Sequence, residues 1–217
     1  MRLHRTPFHC DVYGSFSWSA NIIGKKRWRL YPPGKEDLFP KLHGSFKYDY
    51  ENPGEIDKDF IEIIQECGEI IYVPSGWHHV VWNLEDTISI NHNWFNGTNI
   101  CFIWRSLVNA LHEVEQEICE LNLESAVFIN TCQKILLANH GMDYVSFVNV
   151  LKTIFKHRSN DVESRSLCQN HIEFDKKCIK HVFQAHIVRE NSVKDLTEQN
   201  ESFKIELQEL KNALDCI

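Results

Sequence analysis

The chain has 217 residues and a formal charge of −7 with its twelve histidines counted neutral, which argues against a broad nucleic-acid-binding surface. That length suffices for one domain of ordinary size plus an appendage. No run of eighteen apolar residues exists, so no membrane span is expected, and the opening Met1-Arg2-Leu3-His4-Arg5 lacks the apolar stretch of a signal peptide. Eight cysteines (Cys10, Cys67, Cys101, Cys119, Cys132, Cys168, Cys178 and Cys216) stand at irregular places with no secretory context. They read as free thiols of a reducing compartment, so a cytoplasmic or nuclear location is expected.

The first motif is Thr6-Pro7-Phe8-His9-Cys10-Asp11. Residues i and i+2 of a strand point to one side, so His9 and Asp11 are expected to face one ion while Cys10 turns away. Strands are expected at 17–23, 27–31, 69–73, 79–83 and 87–93, which are rich in β-branched and aromatic residues and mostly separated by Gly, Pro, Asn or Asp. The stretch 34–59 is polar and turn-rich, with Asn52-Pro53-Gly54 at its tip, and reads as a long surface insertion. Then comes Pro74-Ser75-Gly76-Trp77-His78-His79. His78 and His79 are adjacent on a strand, so only one of them can face the interior. A His-x-Asp pair plus one distant histidine is the ligand set of a two-histidine, one-carboxylate iron site, which leaves the remaining octahedral positions open.

From residue 98 the period becomes helical. Leu107, Leu111, Val114, Ile118 and Leu121 recur at spacings of four and three, as one apolar stripe requires. Asn139-His140-Gly141 reads as a helix stop, and Asp143 as the cap of a helix running to about Arg158. A polar loop is expected over 159–170. In the last segment Phe203, Leu207, Leu210, Leu214 and Ile217 form a second stripe, either a tail helix packed on the domain or a helix that pairs with a second copy into a homo-oligomer.

Three segments taken together, Thr6 to Asp11, Gly24-Lys25-Lys26-Arg27-Trp28-Arg29-Leu30-Tyr31-Pro32-Pro33, and Pro74 through Trp94-Phe95, resemble the Jumonji-C (JmjC) family of Fe(II)- and 2-oxoglutarate-dependent oxygenases, in its small hydroxylase group. The resemblance implies a double-stranded β-helix of the cupin or jelly-roll type over 1–97, followed by a helical region over 98–217. It implies His9, Asp11 and His79 as the metal ligands, His79 being the match to the family's Pro-x-x-Trp-x-His. His78 then points to the substrate mouth or to solvent. Lys26 matches the cosubstrate lysine, with Lys25 and Arg27 on the opposite, solvated face. Thr6 matches a hydroxyl on the same carboxylate, and Asn93 an asparagine near metal and cosubstrate. Ser19 stands where close relatives carry an asparagine, and Asn91 where some carry a threonine, so both are expected to line the cosubstrate site as substitutes.

Members of this branch carry a long segment ahead of the His-x-Asp strand, so the barrel is expected to lack its first strands. The reaction implied is hydroxylation by O2 of a lysine side chain on a translation release factor. The rivals are a catalytically inactive interaction or regulatory module and a histone-lysine demethylase. Trp18, Trp28, Trp77 and Trp82 are expected to pack in the core, and Trp94-Phe95 to wall a substrate channel. Two C-x-x-H steps, Cys168 to His171 and Cys178 to His181, offer a weaker zinc reading without the usual turn glycines. No G-x-S-x-G, P-loop or G-x-G-x-x-G occurs, which removes support for hydrolase, nucleotide and dinucleotide chemistry.

Overall fold

Alternation along short strands, interrupted by register shifts in the first two of them, organises the first half of the chain. The structure, a computed structural model, describes residues 5–34, 39, 41–42, 45–46, 59–160 and 167–216. Most of the proposed insertion, including Asn52-Pro53-Gly54, lies outside them. The chain divides into two units, Met1–Phe95 and Asn96–Ile217.

The first unit contains β1 (Arg5–Cys10), β2 (Phe16–Ile23), β3 (Lys26–Tyr31), the short pair β4 (Lys41–Leu42) and β5 (Ser45–Phe46), β6 (Ile61–Gln65), β7 (Ile70–Val73), β8 (His78–Asn83) and β9 (Ile88–Trp94). They form a four-stranded sheet of order β1-β8-β3-β6, a three-stranded sheet of order β7-β2-β9, and the β4-β5 pair. All neighbours run antiparallel, giving the jelly-roll class. Strand β6 was not anticipated. Ile61-Glu62-Ile63-Ile64-Gln65 has no strict alternation and follows a polar stretch, and only its pairing with β3 defines it.

One face of the four-stranded sheet meets the other sheet: Trp28, Leu30 and Val81 bury against Ile71 and Val73 of β7, with Ile63 and Trp77 beside them. Gln65 joins the sheets. It accepts from Trp28 Nε1 at 2.9 Å and donates to the carbonyls of Ser19 and Glu69 at 2.8 and 3.1 Å. The opposite face carries a second cluster of Phe8, Tyr31, Phe39, Val80 and Trp82. Here the solvated reading of Arg27 fails. Its guanidinium lies 4.4 Å from the Trp82 ring centroid, while Arg29 lies over Phe60 and bridges to Glu62 at 2.6 Å. Lys25 does stay on the surface, paired with Glu66 at 2.8 Å.

Gly24 has to be glycine. Its φ is +82° in the tight turn between β2 and β3, and a Cβ there would stand 2.2 Å from the Asp86 carbonyl oxygen.

The second unit is helical: α1 (Ile100–Ile118), α2 (Ser125–His140), α3 (Tyr144–Ser159), α4 (Gln169–Ala185), α5 (Asn191–Gln199) and α6 (Glu201–Asp215). Leu107, Leu111, Val114 and Ile118 are buried along α1, but Leu121 is 61% exposed because the helix tightens into a 3-10 turn after Ile118. Gly141, at φ +75°, ends α2, and the Asp143 carboxylate caps α3 by accepting from Ser146 N at 2.7 Å. The α6 stripe buries Phe203, Leu210 and Leu214, and α6 packs against α3 and α5. Lys152 of α3 pairs with Glu206 and Glu209 of α6. No helix among the described residues is long and apolar enough to cross a membrane. All eight cysteines are free.

Candidate metal centre

Pairing of β1 with β8 builds the centre. His9 sits directly across from His79, and Cys10 from His78. Directly opposed residues of an antiparallel pair project to the same side, so His9 and His79 share a face. Their ring centroids are 4.3 Å apart. Thr6 pairs with Val81, so three steps along β1 span two along β8. In an unbroken strand Thr6 and His9, an odd number apart, would point to opposite faces. The bulge between them puts both on the inner one.

Asp11 is not on the strand. β1 ends at Cys10, and Asp11 precedes a 3-10 turn over Val12–Gly14 with extended backbone (φ −58°, ψ 154°). The i, i+2 argument therefore reached the right neighbour through a different local structure. The carboxylate is fixed by Ser17, whose Oγ donates to Asp11 Oδ2 at 2.5 Å. The turn is anchored in its own way. Tyr13 and Gly14 have φ of 57° and 63°, and the Gly14 carbonyl accepts from Ser75 Oγ at 2.5 Å and from Gly76 N at 3.2 Å. Those bonds tie the loop bearing Asp11 to the one leading into His79.

One ring nitrogen of His9, one of His79 and a carboxylate oxygen of Asp11 all lie within 4.8 Å of one another. The Nδ1 of His9 meets the Pro7 carbonyl at 2.7 Å, and that of His79 meets the Trp77 carbonyl at 3.4 Å. A carbonyl only accepts, so in each ring Nδ1 carries the hydrogen and Nε2 keeps a lone pair for a cation. Burial, then the neighbouring His9, lowers the His79 pKa from 6.5 to about 4, although Asp11 opposes the shift. His79 is thus neutral at physiological pH, as a ligand must be. Two imidazoles and one carboxylate on one side of an ion suit non-haem Fe(II) with open positions.

A cavity of about 190 Å³ adjoins this group. It is lined by all eight residues singled out in the sequence, Thr6, His9, Asp11, Ser19, Lys26, His79, Asn91 and Asn93, together with Ser17, Trp18, Trp28, Val81 and Asn83. Lys26 is only 8% exposed, and burial lowers its pKa below the ordinary lysine value with no carboxylate offsetting the shift. Ser19 is 3% exposed, and its Oγ finds no hydrogen-bond partner among the described residues. Asn93 Nδ2 donates to Ser15 Oγ at 3.2 Å. Ser17 and Asn83 escaped the sequence reading. The signal for Ser17 was there, since it shares parity with Ser19 on β2 and pairs with Asn93.

Other expectations are corrected. His78 turns away from the cavity and is half-buried, its ring stacked on Phe8 with centroids 5.1 Å apart. Trp94 alternates with Asn93 to the other side of its sheet and packs on Phe16 and Tyr72, so it does not wall the cavity. The two C-x-x-H steps do not assemble: His171 faces Asp175 at 3.7 Å, and His181 groups with other residues.

Ser17→Ala is expected to weaken metal binding by about 10- to 100-fold, the usual effect of removing a group that orients a ligand. Competition of the metal with a coloured chelator measures this, and an unchanged affinity would show that the Ser17 hydroxyl does not position Asp11.

Comparison with known proteins adds four findings. Residues 1–94 match the family described as JmjC domain, hydroxylase. The chain is 42% identical to the 2-oxoglutarate and iron-dependent oxygenase JMJD4 of Danio rerio, over 98% of this chain and 57% of that protein. It is 46% identical to the protein of the same name from Gallus gallus, over 73% of this chain and 40% of that one. It is also 45% identical to the arginine-specific demethylase JMJ20 of Arabidopsis thaliana, over 65% of this chain and 32% of that protein. The chain therefore spans between 32% and 57% of these relatives' lengths.

Proposed function

The chain belongs to the JmjC-domain hydroxylases through residues 1–94, and from this we propose that it is an Fe(II)- and 2-oxoglutarate-dependent oxygenase acting on a protein side chain. The observation that carries the reading is a buried ammonium, Lys26, sharing one cavity with a two-histidine, one-carboxylate group and lacking a carboxylate of its own among the described residues. A buried cation is costly until an anion and hydrogen bonds meet it. A dicarboxylate that chelates the metal at one end and reaches Lys26 at the other meets both needs. The cavity, below the roughly 300 Å³ typical of drug-sized ligand sites, suits so small a molecule.

His9, Asp11 and His79 would hold the iron, and Ser17 keeps the Asp11 carboxylate turned toward it. Thr6 and Ser19 offer hydroxyls to the far carboxylate beside Lys26, while the Asn91 and Asn93 amides line the same space. Trp28 and Val81 exclude water and so strengthen each of these polar contacts. When bound, iron and 2-oxoglutarate supply the oxidising power that lets O2 attack an unactivated C–H bond.

For the substrate we propose a lysine side chain on a translation release factor, hydroxylated on carbon. Support for that choice is the motif resemblance to small JmjC hydroxylases. A second reading, oxidative demethylation, draws on the name of the Arabidopsis thaliana relative. The test is turnover without protein substrate: purified chain, iron(II), ascorbate and 2-oxoglutarate, with succinate measured. Succinate above the iron-free control is expected. A folded sample that makes none overturns the oxygenase reading in favour of a non-catalytic module. With peptide present, gain of one oxygen atom indicates hydroxylation, and formaldehyde release indicates demethylation.

A further inference from the structure

The helical unit holds a second set of metal-ligand atoms that shares no residue with the first. Cys101 Sγ and one ring nitrogen from each of His181 and His186 lie within 4.8 Å of one another. Two local features bring them together. At Gly97 a Cβ would stand 2.9 Å from Phe174 Cε1 and 3.2 Å from Cys178 Cβ, so the chain enters α1 pressed against α4. Cys101, in the first turn of α1, then comes opposite His181 on α4.

The end of α4 supplies the third group. In a continuing helix, residues five apart point about 140° apart around the axis. Instead α4 stops at Ala185, and His186 takes φ −125° and ψ −62°. Its ring turns edge-on to that of His181, with centroids 5.6 Å apart. We propose that Cys101, His181 and His186 form a second metal site for a divalent ion of the zinc class, with the fourth tetrahedral position open to water.

The donor chemistry supports that class. One sulfur and two imidazoles make a borderline-soft set that suits zinc and is poor for calcium or magnesium. Burial, then Arg105, His181 and Arg189, holds the His186 pKa below the ordinary imidazole value, which leaves its lone pair free. Burial raises the Cys101 pKa and Arg105 opposes the rise. A bound cation would reverse that rise and hold the thiolate. His181 is exposed, so an ion has a way in.

Cobalt(II) is the probe, because only a thiolate ligand gives a near-ultraviolet sulfur-to-cobalt charge-transfer band. The His9, Asp11 and His79 group contains no sulfur and stays silent in it. The metal-free 217-residue chain titrated with cobalt(II) should develop the band, and zinc should abolish it. Cys101→Ser should lose the band, while His79→Ala and Cys178→Ser keep it. Should Cys101→Ser fail to fold by circular dichroism, His186→Asn decides instead, with an expected tenfold or greater loss of cobalt affinity. No band in the folded wild type, a band that survives Cys101→Ser, a band lost in Cys178→Ser, or unchanged affinity in His186→Asn overturns the site.

Discussion

Replacing Lys26 by methionine is expected to loosen 2-oxoglutarate binding by about 2–5 kcal/mol, roughly 30- to 5,000-fold in dissociation constant. The same substitution is expected to raise the melting temperature of the ligand-free chain. Both effects follow from one fact. The ammonium is buried among Trp28, Val81 and Asn83 with no carboxylate of its own among the described residues, and burial already lowers its pKa. In the empty cavity that charge is a liability, and methionine of similar length removes it. Once a dicarboxylate is present, the charge becomes the partner whose loss leaves an anion buried alone. Calorimetric titration of 2-oxoglutarate and melts with and without ligand measure the two signs separately. A ligand-free Lys26→Met chain that melts lower than wild type would mean the lysine has a structural partner, and the cosubstrate role would fall.

His79→Ala is expected to abolish metal-dependent succinate formation, while His78→Ala keeps metal affinity and loses about 1–2 kcal/mol of stability. These neighbours differ because strand β8 alternates. His79 faces His9 across the β1–β8 pair, and its ring lies 5.7 Å from Trp28. His78 lies on the other face, stacked on Phe8 beside the cluster of Tyr31, Phe39, Val80 and Trp82. Removing it leaves a hole against aromatic rings and touches no ligand. Metal titration, succinate assay and thermal melts on the two variants give the comparison. If His78→Ala proved the one to lose metal, β8 would be slid by one residue against β1.

Much of this site was anticipated because its motifs resemble the JmjC family, and strand parity agrees with that match. Lys26 and Trp28 share a face two residues apart, as do Ser17 and Ser19, and Asn91 and Asn93, and the cavity collects all six. The choice of His79 over His78 came from motif alignment, and parity alone could not make it. What stayed hidden was structure set by pairing rather than pattern. Ile61–Gln65 becomes a strand because β3 offers it an edge. Arg27 looked solvated until Trp82 of the neighbouring strand supplied a ring to cover. Leu121 continued a helical stripe on paper, yet the backbone had already tightened after Ile118. The ligand group of α1 and α4 was invisible for a similar reason: His181 and His186 meet only because the helix breaks between them.

The irregularity in β1 has a consequence for change by insertion or loss. Removing one residue from Pro7-Phe8 would let β1 pair with β8 without interruption, a gain in ladder hydrogen bonds. It would leave the Thr6 hydroxyl facing the cavity, two residues from His9, but it would remove or shift the Pro7 carbonyl that meets His9 Nδ1 at 2.7 Å. At that one point a more regular sheet competes with a firmly held ligand ring, so selection for robustness and selection for chemistry would push the length of this short strand in opposite directions.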